Sequence, residues 1–402
     1  MSLPQSNQRF ELECLDLATL RGGIVLVRVD FNVPLDHGRV LDDTRLLAAL
    51  PTIRVLSDAG SRVVLLSHCG RPRGVVDLRF SLRPAAERLA EILDHSVAFA
   101  TDCVGAVAQE CIATLRDGDI AVLENLRFHP GEKKNDAAFS EMLAHLGEAY
   151  VNDAFGMAHR PHASVVGLPS LFSRKALGRL MVGEIKSLKM LLEAPAHPFA
   201  AVVGGAKIEG KVDTLENLLP RLDILILGGG MANTFLAAQG HEMRESLVER
   251  DRLELATEIL QAAAARDVKV ILPSDLVVTD SLENPSRVQT VEVGEVPEGT
   301  MAVDIGEASC RDMVAAVKSA ETVFWNGPMG VFEIAPFDRG TMSVAEAVGS
   351  NRGFSVIGGG ETVAAARRAG VIDHIGHVST GGGAALEFLA GGVLPGIQAF
   401  ER

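Results

Sequence analysis

The chain has 402 residues, 47% of them hydrophobic and 22% charged, with a formal net charge of −14. One hydrophobic core rarely grows past about 250–300 residues, so two domains are expected. The acidic balance argues against nonspecific nucleic-acid binding, although it leaves room for a local basic pocket that takes a small anion.

No apolar run approaches the roughly 20 residues needed to cross a bilayer. The opening stretch MSLPQSNQRFELECLD has no apolar centre and no cleavage-like site, so no signal peptide is expected. The five cysteines, Cys14, Cys69, Cys103, Cys111 and Cys310, contain no C-x-x-C pair. That argues against a disulfide framework or a zinc site and fits a reducing cytoplasm.

In chain order, short apolar runs predict strands at 24–29, 63–67, 120–123 and 149–151, then at 200–203, 224–227, 268–272, 322–325 and 354–357. They are nearly continuous rather than alternating, as strands buried on both faces of a parallel sheet should be. Helical spacing predicts helices at 43–58, 83–94, 136–147, 249–265 and 308–318. Strands alternating with helices imply right-handed βαβ units and open doubly wound sheets. The stretch RKALGRLMVGEIKSLKMLLEA, followed by PAHPF, reads as a long connecting helix ended by prolines and places the domain break around 172–195. The expected fold is therefore α/β, with two doubly wound parallel-sheet, Rossmann-like domains joined by a long hinge helix.

The turns after the strands differ between the halves. In the first half they carry Arg28, Asp30 and Asn32; His68, Arg71 and Arg73; Arg127 and His129; and His159, Arg160 and His162. A single such arginine is ordinarily a solvated surface residue. Four turns bearing one directly after a strand point instead at one crevice, because ligands of open α/β sheets sit outside the carboxyl ends of the strands. Arginine forks match carboxylate and phosphate oxygens in pairs.

In the second half the same positions are glycine-rich: GGAKIEGK, GGGMANT, NGPMG, GGGET and STGGG. Glycine lets main-chain N–H groups approach a phosphate, and helix N-termini add a favourable dipole. None of these turns is G-x-G-x-x-G. GAKIEGKV falls short of a Walker A motif because Val212 stands where Ser or Thr would hold Mg²⁺. Lys207 and Lys211, four apart, would share one face of a helical turn and could both point at phosphates. The pattern suits phosphoryl transfer between a nucleotide and a small acidic metabolite. Two other readings of the residues are a nicotinamide-dinucleotide oxidoreductase and a noncatalytic nucleotide-binding protein.

VRVDFNVP, SHCGRP, ENLRFH, NDAFGMAHR, GGAK, GGGMA, NGPMGVFE, GGGET and STGGGAALEFL follow one another along essentially the whole chain. In this order and spacing they resemble the phosphoglycerate kinase family. The resemblance implies reversible transfer of a phosphoryl group between ATP and the carboxylate of 3-phosphoglycerate, giving ADP and 1,3-bisphosphoglycerate, a step of glycolysis and gluconeogenesis. It implies that Asp30, Asn32, Arg45, His68, Arg71, Arg127 and Arg160 bind phosphoglycerate, and that Arg45, Lys207 and Lys211 carry the catalytic charge. For the nucleotide it implies Lys211, Gly228, Gly229, Asn326, Glu333, Gly358, Gly359, Gly360, Glu361 and Thr362, with Glu333 on the ribose.

Mg²⁺ is implied with ATP and ADP, and Glu361 stands where the family most often has a metal-holding Asp. Thr300 and Ala302 replace an aromatic residue and a glycine expected beside the adenine. The resemblance also implies a cytoplasmic monomer with a phosphoglycerate-binding domain at 1–172 plus 390–402 and a nucleotide-binding domain at 173–389. Its tail would fold back on the first domain. The acceptor carboxylate, with a pKa near 4, is ionised at neutral pH, so no general base is needed.

Overall fold

Alternate side chains of the central strands enter different cores. In the strand Ile24–Arg28, Val25 and Val27 join one apolar cluster and Leu26 joins another. The strand Arg62–Leu66 repeats this, with Val63 and Leu65 on one side and Val64 and Leu66 on the other. A strand covered on both faces needs apolar residues at every position, which explains the unbroken runs in the sequence. The computed structural model describes residues 17–401. The opening stretch read as lacking a signal peptide, with Cys14, lies outside the described residues, as does the terminal Arg402.

The chain divides into two compact units, 1–185 with 393–402 and 186–392. The sheet of the first unit runs Val97–Ala100, Ile120–Leu123, Arg62–Leu66, Ile24–Arg28, Ala149–Asn152 and Lys175–Leu177, each parallel to its neighbour. The chain starts in the middle and builds outward to both edges. The order therefore reverses beside Ile24–Arg28, and there a crevice opens at the carboxyl ends of the strands.

The second unit repeats the plan. Its sheet runs Lys269–Ile271, Ile224–Leu227, Phe199–Val203, Thr322–Asn326, Phe354–Ile357 and His377–Val378, again all parallel. The reversal falls between Phe199–Val203 and Thr322–Asn326. All five residues of each of these two strands are buried.

Three features depart from the sequence expectation. The stretch 174–194 is not one helix: Lys175–Leu177 is an edge strand paired with Ala149–Asn152, and the helix begins at Arg179. The helix Arg179–Glu193 carries the division between the units, between Ile185 and Lys186. The second unit also holds a three-stranded antiparallel sheet, with Asp275–Thr279 between Val288–Glu292 and Met301–Ile305. Finally, Lys207 and Lys211 share no helix. Residues 205–211 are bends and turns, Gly210 has φ +80°, and the helix starts at Val212.

The end of the chain packs on the first unit. Gly396 N–H donates to Ala158 O (2.8 Å), Lys175 Nζ to Ala399 O (2.9 Å), and the Phe400 ring stacks on Tyr150.

Candidate active site

In the first unit, four turns at the carboxyl ends of the strands assemble a basic group. Asp30 and Asn32 follow the first strand. Asp30 Oδ2 accepts from Arg45 Nη1 at 2.9 Å, and the same nitrogen donates to Asn32 O at 3.1 Å. Arg45 comes from the first turn of the helix Thr44–Asp58. Asn32 Oδ1 accepts from Gly70 N–H at 2.8 Å, and Gly70 O accepts from Arg127 Nη1 at 2.9 Å. Three turns are thus laced together through backbone groups.

His68 is buried among the cations. Burial, and then the charges of Arg28, Arg127 and Arg45, hold its pKa well below the usual histidine range, so the ring is neutral at pH 7. Arg127 is itself pushed down to about 10 by burial and by Arg28, and its buried Nε lacks a hydrogen-bond partner among the described residues. A buried donor without a partner beside other cations signals a missing acceptor. Arg71 and Arg160 are exposed and have no acidic partner among the described residues. The natural complement of this surface is a small anion with several oxygens.

His129, which the sequence grouped with these cations, is engaged elsewhere. Its Nε2 lies 2.7 Å from Asp102 Oδ1 and its ring stacks on Phe139. Asp102, Cys103 and His129 offer donor atoms within 4.8 Å of one another, although a zinc site was not expected. The Cys103 thiol there is buried and held well above its ordinary pKa, first by burial and then by Asp102.

In the second unit, the glycine turns close around Lys211. Its Nζ donates to Gly204 O and stands 3.4 Å from Asn326 O, the carbonyls that follow or end the two strands at the sheet reversal. Burial pushes the ammonium pKa down to about 8, and Glu361 counters part of that fall. Asn326 and Thr362 clasp neighbouring turns: Asn326 Nδ2 donates to Gly358 O (2.7 Å), and Thr362 Oγ1 accepts from Gly327 N–H (2.7 Å). Gly228 caps the helix Gly229–Ala238, and Gly359, with φ +94°, caps the helix Gly360–Arg368. Both helix N-termini open at the same edge of the sheet.

Beside them lies a cavity of about 190 Å³. Gly229, Glu333 and Glu361, expected from the sequence, line it. Gly358, Gly359 and Gly360 stand in the adjoining turn rather than in its wall. The sequence missed Asn233, Leu247, Met329 and Asp304, which also line it. Asn233 lies inside GGGMANT and Asp304 two residues after Ala302, so the stretches were noticed but not these side chains. Ala302 is in the wall. Thr300 is absent from the wall, buried with its hydroxyl donating to Pro297 O at 2.8 Å. Lys207 is exposed, makes no contact with the cavity and has no partner among the described residues.

The family model for phosphoglycerate kinase matches residues 15–392. The chain belongs to the phosphoglycerate kinase family. It is 51% identical to the phosphoglycerate kinase of Moorella thermoacetica, over 94% of this chain and 96% of that protein. It is 48% identical to that of Anaeromyxobacter sp. strain K, over 97% of this chain and the whole of that protein. A solved phosphoglycerate kinase structure from Coxiella burnetii superposes with a TM-score of 0.85 at 38% identity, covering 95% of this chain and 96% of that one. The Pyrococcus horikoshii structure gives 0.80 at 32% identity, covering 94% and 96%. Membership makes the chain an ATP-dependent phosphotransferase and disfavours the oxidoreductase reading.

Proposed function

We propose that the basic group of the first unit binds 3-phosphoglycerate, that the glycine-turn cavity of the second binds ATP or ADP, and that closure of the units transfers the terminal phosphoryl group to the substrate carboxylate. The observation that carries this is the charge of the first site. Arg71 and Arg160 lack acidic partners among the described residues, Arg127 has an orphaned donor, and the neutral His68 sits among them. A substrate with a phosphate and a carboxylate supplies the acceptors such a surface needs.

In this reading Arg45, Arg71, Arg127 and Arg160 hold the anion, Asn32 orders the turns around it, and Asp30 orients Arg45 and accepts a substrate hydroxyl. The carboxylate attacks without a base, being already ionised. Lys211 stabilises charge on the transferring group, with Arg45 contributing once the units close. Lys207, exposed and without a partner among the described residues, joins them only in the closed state. Gly228, Gly229 and the turn Gly358–Thr362 present amides and helix N-termini to the phosphates, and Glu333 takes the ribose.

The residues fit Mg²⁺: Glu361 is a carboxylate in the cavity wall, close enough to act on Lys211, and Mg²⁺ is commonly held by one or two carboxylates plus phosphate oxygens. Glu361 would hold it, and the ion would neutralise phosphate charge. The four described cysteines are free, in keeping with a reducing cytoplasm, and we take the protein to act as a monomer there.

Titration calorimetry of the full chain tests the assignment. Arg71→Ala and Arg160→Ala should each weaken 3-phosphoglycerate binding by about 10- to 100-fold, the worth of a hydrogen bond to a charged group, while ADP affinity is unchanged. Unaltered phosphoglycerate binding, or an equal loss for ADP, would contradict it.

A further inference from the structure

Behind the substrate side chains lies a hydrogen-bonded chain that the functional reading does not use. It begins at Glu132, whose side chain is fully buried. Glu132 Oε2 accepts from Ser164 N–H at 2.9 Å, and Oε1 accepts from the Ser164 hydroxyl at 2.6 Å. Ser164 Oγ in turn accepts from Arg28 Nε at 2.9 Å. Arg28, also without exposure, donates through Nη1 to Val29 O, and its Nη2 lies 3.1 Å from His68 Nδ1.

The direction of every proton in this chain is fixed by chemistry. A carboxylate only accepts and a guanidinium only donates. The single hydroxyl proton of Ser164 must therefore point at Glu132, which leaves an oxygen lone pair for Arg28. Arg28 then has no choice at its other end: it donates to His68, so His68 Nδ1 is the acceptor. A neutral imidazole that accepts at Nδ1 carries its proton on Nε2. None of the described hydrogen bonds engages Nε2.

We propose that Glu132, Ser164 and Arg28 are positioning residues that set His68 as a neutral ring with its proton on Nε2, giving the anion site an uncharged, directed donor. The claim that the donor serves the substrate rests on the function proposed above; the tautomer does not.

Burial of Arg28 explains why Glu132 is present. A buried cation needs a buried partner, and removing one member leaves the other uncompensated. Burial works to raise the Glu132 pKa, but His162, the Arg28 charge and Ser164 outweigh it and leave the carboxyl below its ordinary value, so the negative charge persists. The charges around His68 work the same way: Arg28, Arg127, Arg45 and His162 disfavour the imidazolium, and Asp30, 3.9 Å from Nδ1, is engaged by Arg45. A further cation would add repulsion among the arginines. A neutral donor contributes a hydrogen bond without it.

Lysine cannot replace Arg28, because an ammonium at one point cannot bridge Ser164 and His68 together. The test is nitrogen-15 NMR of ring-labelled histidines in the whole protein, with the His68 signals assigned by a His68→Gln variant. At pH 7, Nδ1 should show the unprotonated ring-nitrogen shift and Nε2 the protonated one. Arg28→Lys, which keeps the charge, and Ser164→Ala, which frees the guanidinium, should each give a mixture of tautomers. In both, KM for phosphoglycerate should rise about 10-fold and KM for ATP should hold.

A wild-type His68 that is cationic or protonated on Nδ1 overturns the proposal even if neither variant folds. So does a folded variant whose tautomer is unchanged. The NMR reads the relay without turnover. A correct tautomer with no phosphoglycerate binding would therefore sink the functional reading and leave the relay standing.

Discussion

Lys211 is half-buried and held by two carbonyls, and burial pushes its pKa down to about 8. In the role proposed for it, its best partner is the charge that develops on the transferring phosphoryl group. Lys211→Ala should lower kcat by about 10²–10³, the usual loss for one oriented charge stabiliser, with little change in KM for ATP; a rise in KM at constant kcat would contradict the role. Because the free enzyme needs the charged form, kcat/KM for ATP should fall as pH rises through about 8. A profile flat from pH 7 to 9 would count against it.

Asp153 carries a different burden. It is buried, its Oδ2 has no hydrogen-bond partner among the described residues, and burial raises its pKa to about 6 despite bonds from Thr52 and Met181. The native state then binds more protons than the unfolded chain between the unfolded carboxyl value, near 4, and about 6. Stability should fall as pH rises through that window, by roughly 3 kcal/mol in total. Asp153→Asn should flatten this slope in urea titrations at pH 4 to 7, and an unchanged slope would overturn the assignment.

The basic group of the first unit was legible at this scale because Arg28, Arg71, Arg127 and Arg160 end or follow strands, whereas Arg45, in the first turn of a helix, came only from the family resemblance. Lys207 and His129 misled, since spacing cannot reveal that Gly210 breaks the turn before Val212 or that Asp102 captures the imidazole.

Among elements, the glycine turns separate strict positions from lenient ones. Gly229 has φ +65°, and a Cβ there would stand 2.7 Å from Gly205 O and 2.8 Å from Gly205 N. Gly360 has no left-handed φ, and a Cβ there would meet nothing within 4 Å. Gly229→Ala should therefore lower stability by about 1–3 kcal/mol through strain and weaken ADP binding, whereas Gly360→Ala should keep the melting temperature. Scanning calorimetry with and without ADP checks both; equal effects would mean the backbone approach is not what matters.

Strands buried on both faces were legible because they leave apolar runs. Val288–Glu292 was not, because it alternates exposed and half-buried positions at the edge of a small sheet. Lys175–Leu177 escaped because three residues are too few to set a period, and its apolar pair merges with the spacing of the following helix.

Across the whole molecule, the C-terminal segment belongs to the first unit although the second intervenes in sequence. Asn152 Nδ2 reaches Gly396 O at 3.3 Å, and Gly396 leaves no room for a Cβ, which would stand 2.9 Å from Ala158 Cα. Removing residues 393–402 should destabilise the first unit, seen as faster proteolysis within 17–185, and leave ADP binding intact. Loss of ADP binding in the truncated chain would contradict that independence. Composition could not disclose this return of the chain; only the family resemblance implied it.

As a member of the phosphoglycerate kinase family, this chain transfers a phosphoryl group between ATP and the carboxylate of 3-phosphoglycerate. Incubation of the pure protein with ATP, Mg²⁺ and 3-phosphoglycerate, with acyl-phosphate formation coupled to NADH oxidation by glyceraldehyde-3-phosphate dehydrogenase, measures it directly. NADH should be consumed only when all three are present and should cease on chelation of the metal. Folded protein that binds ADP yet consumes no NADH would contradict the account.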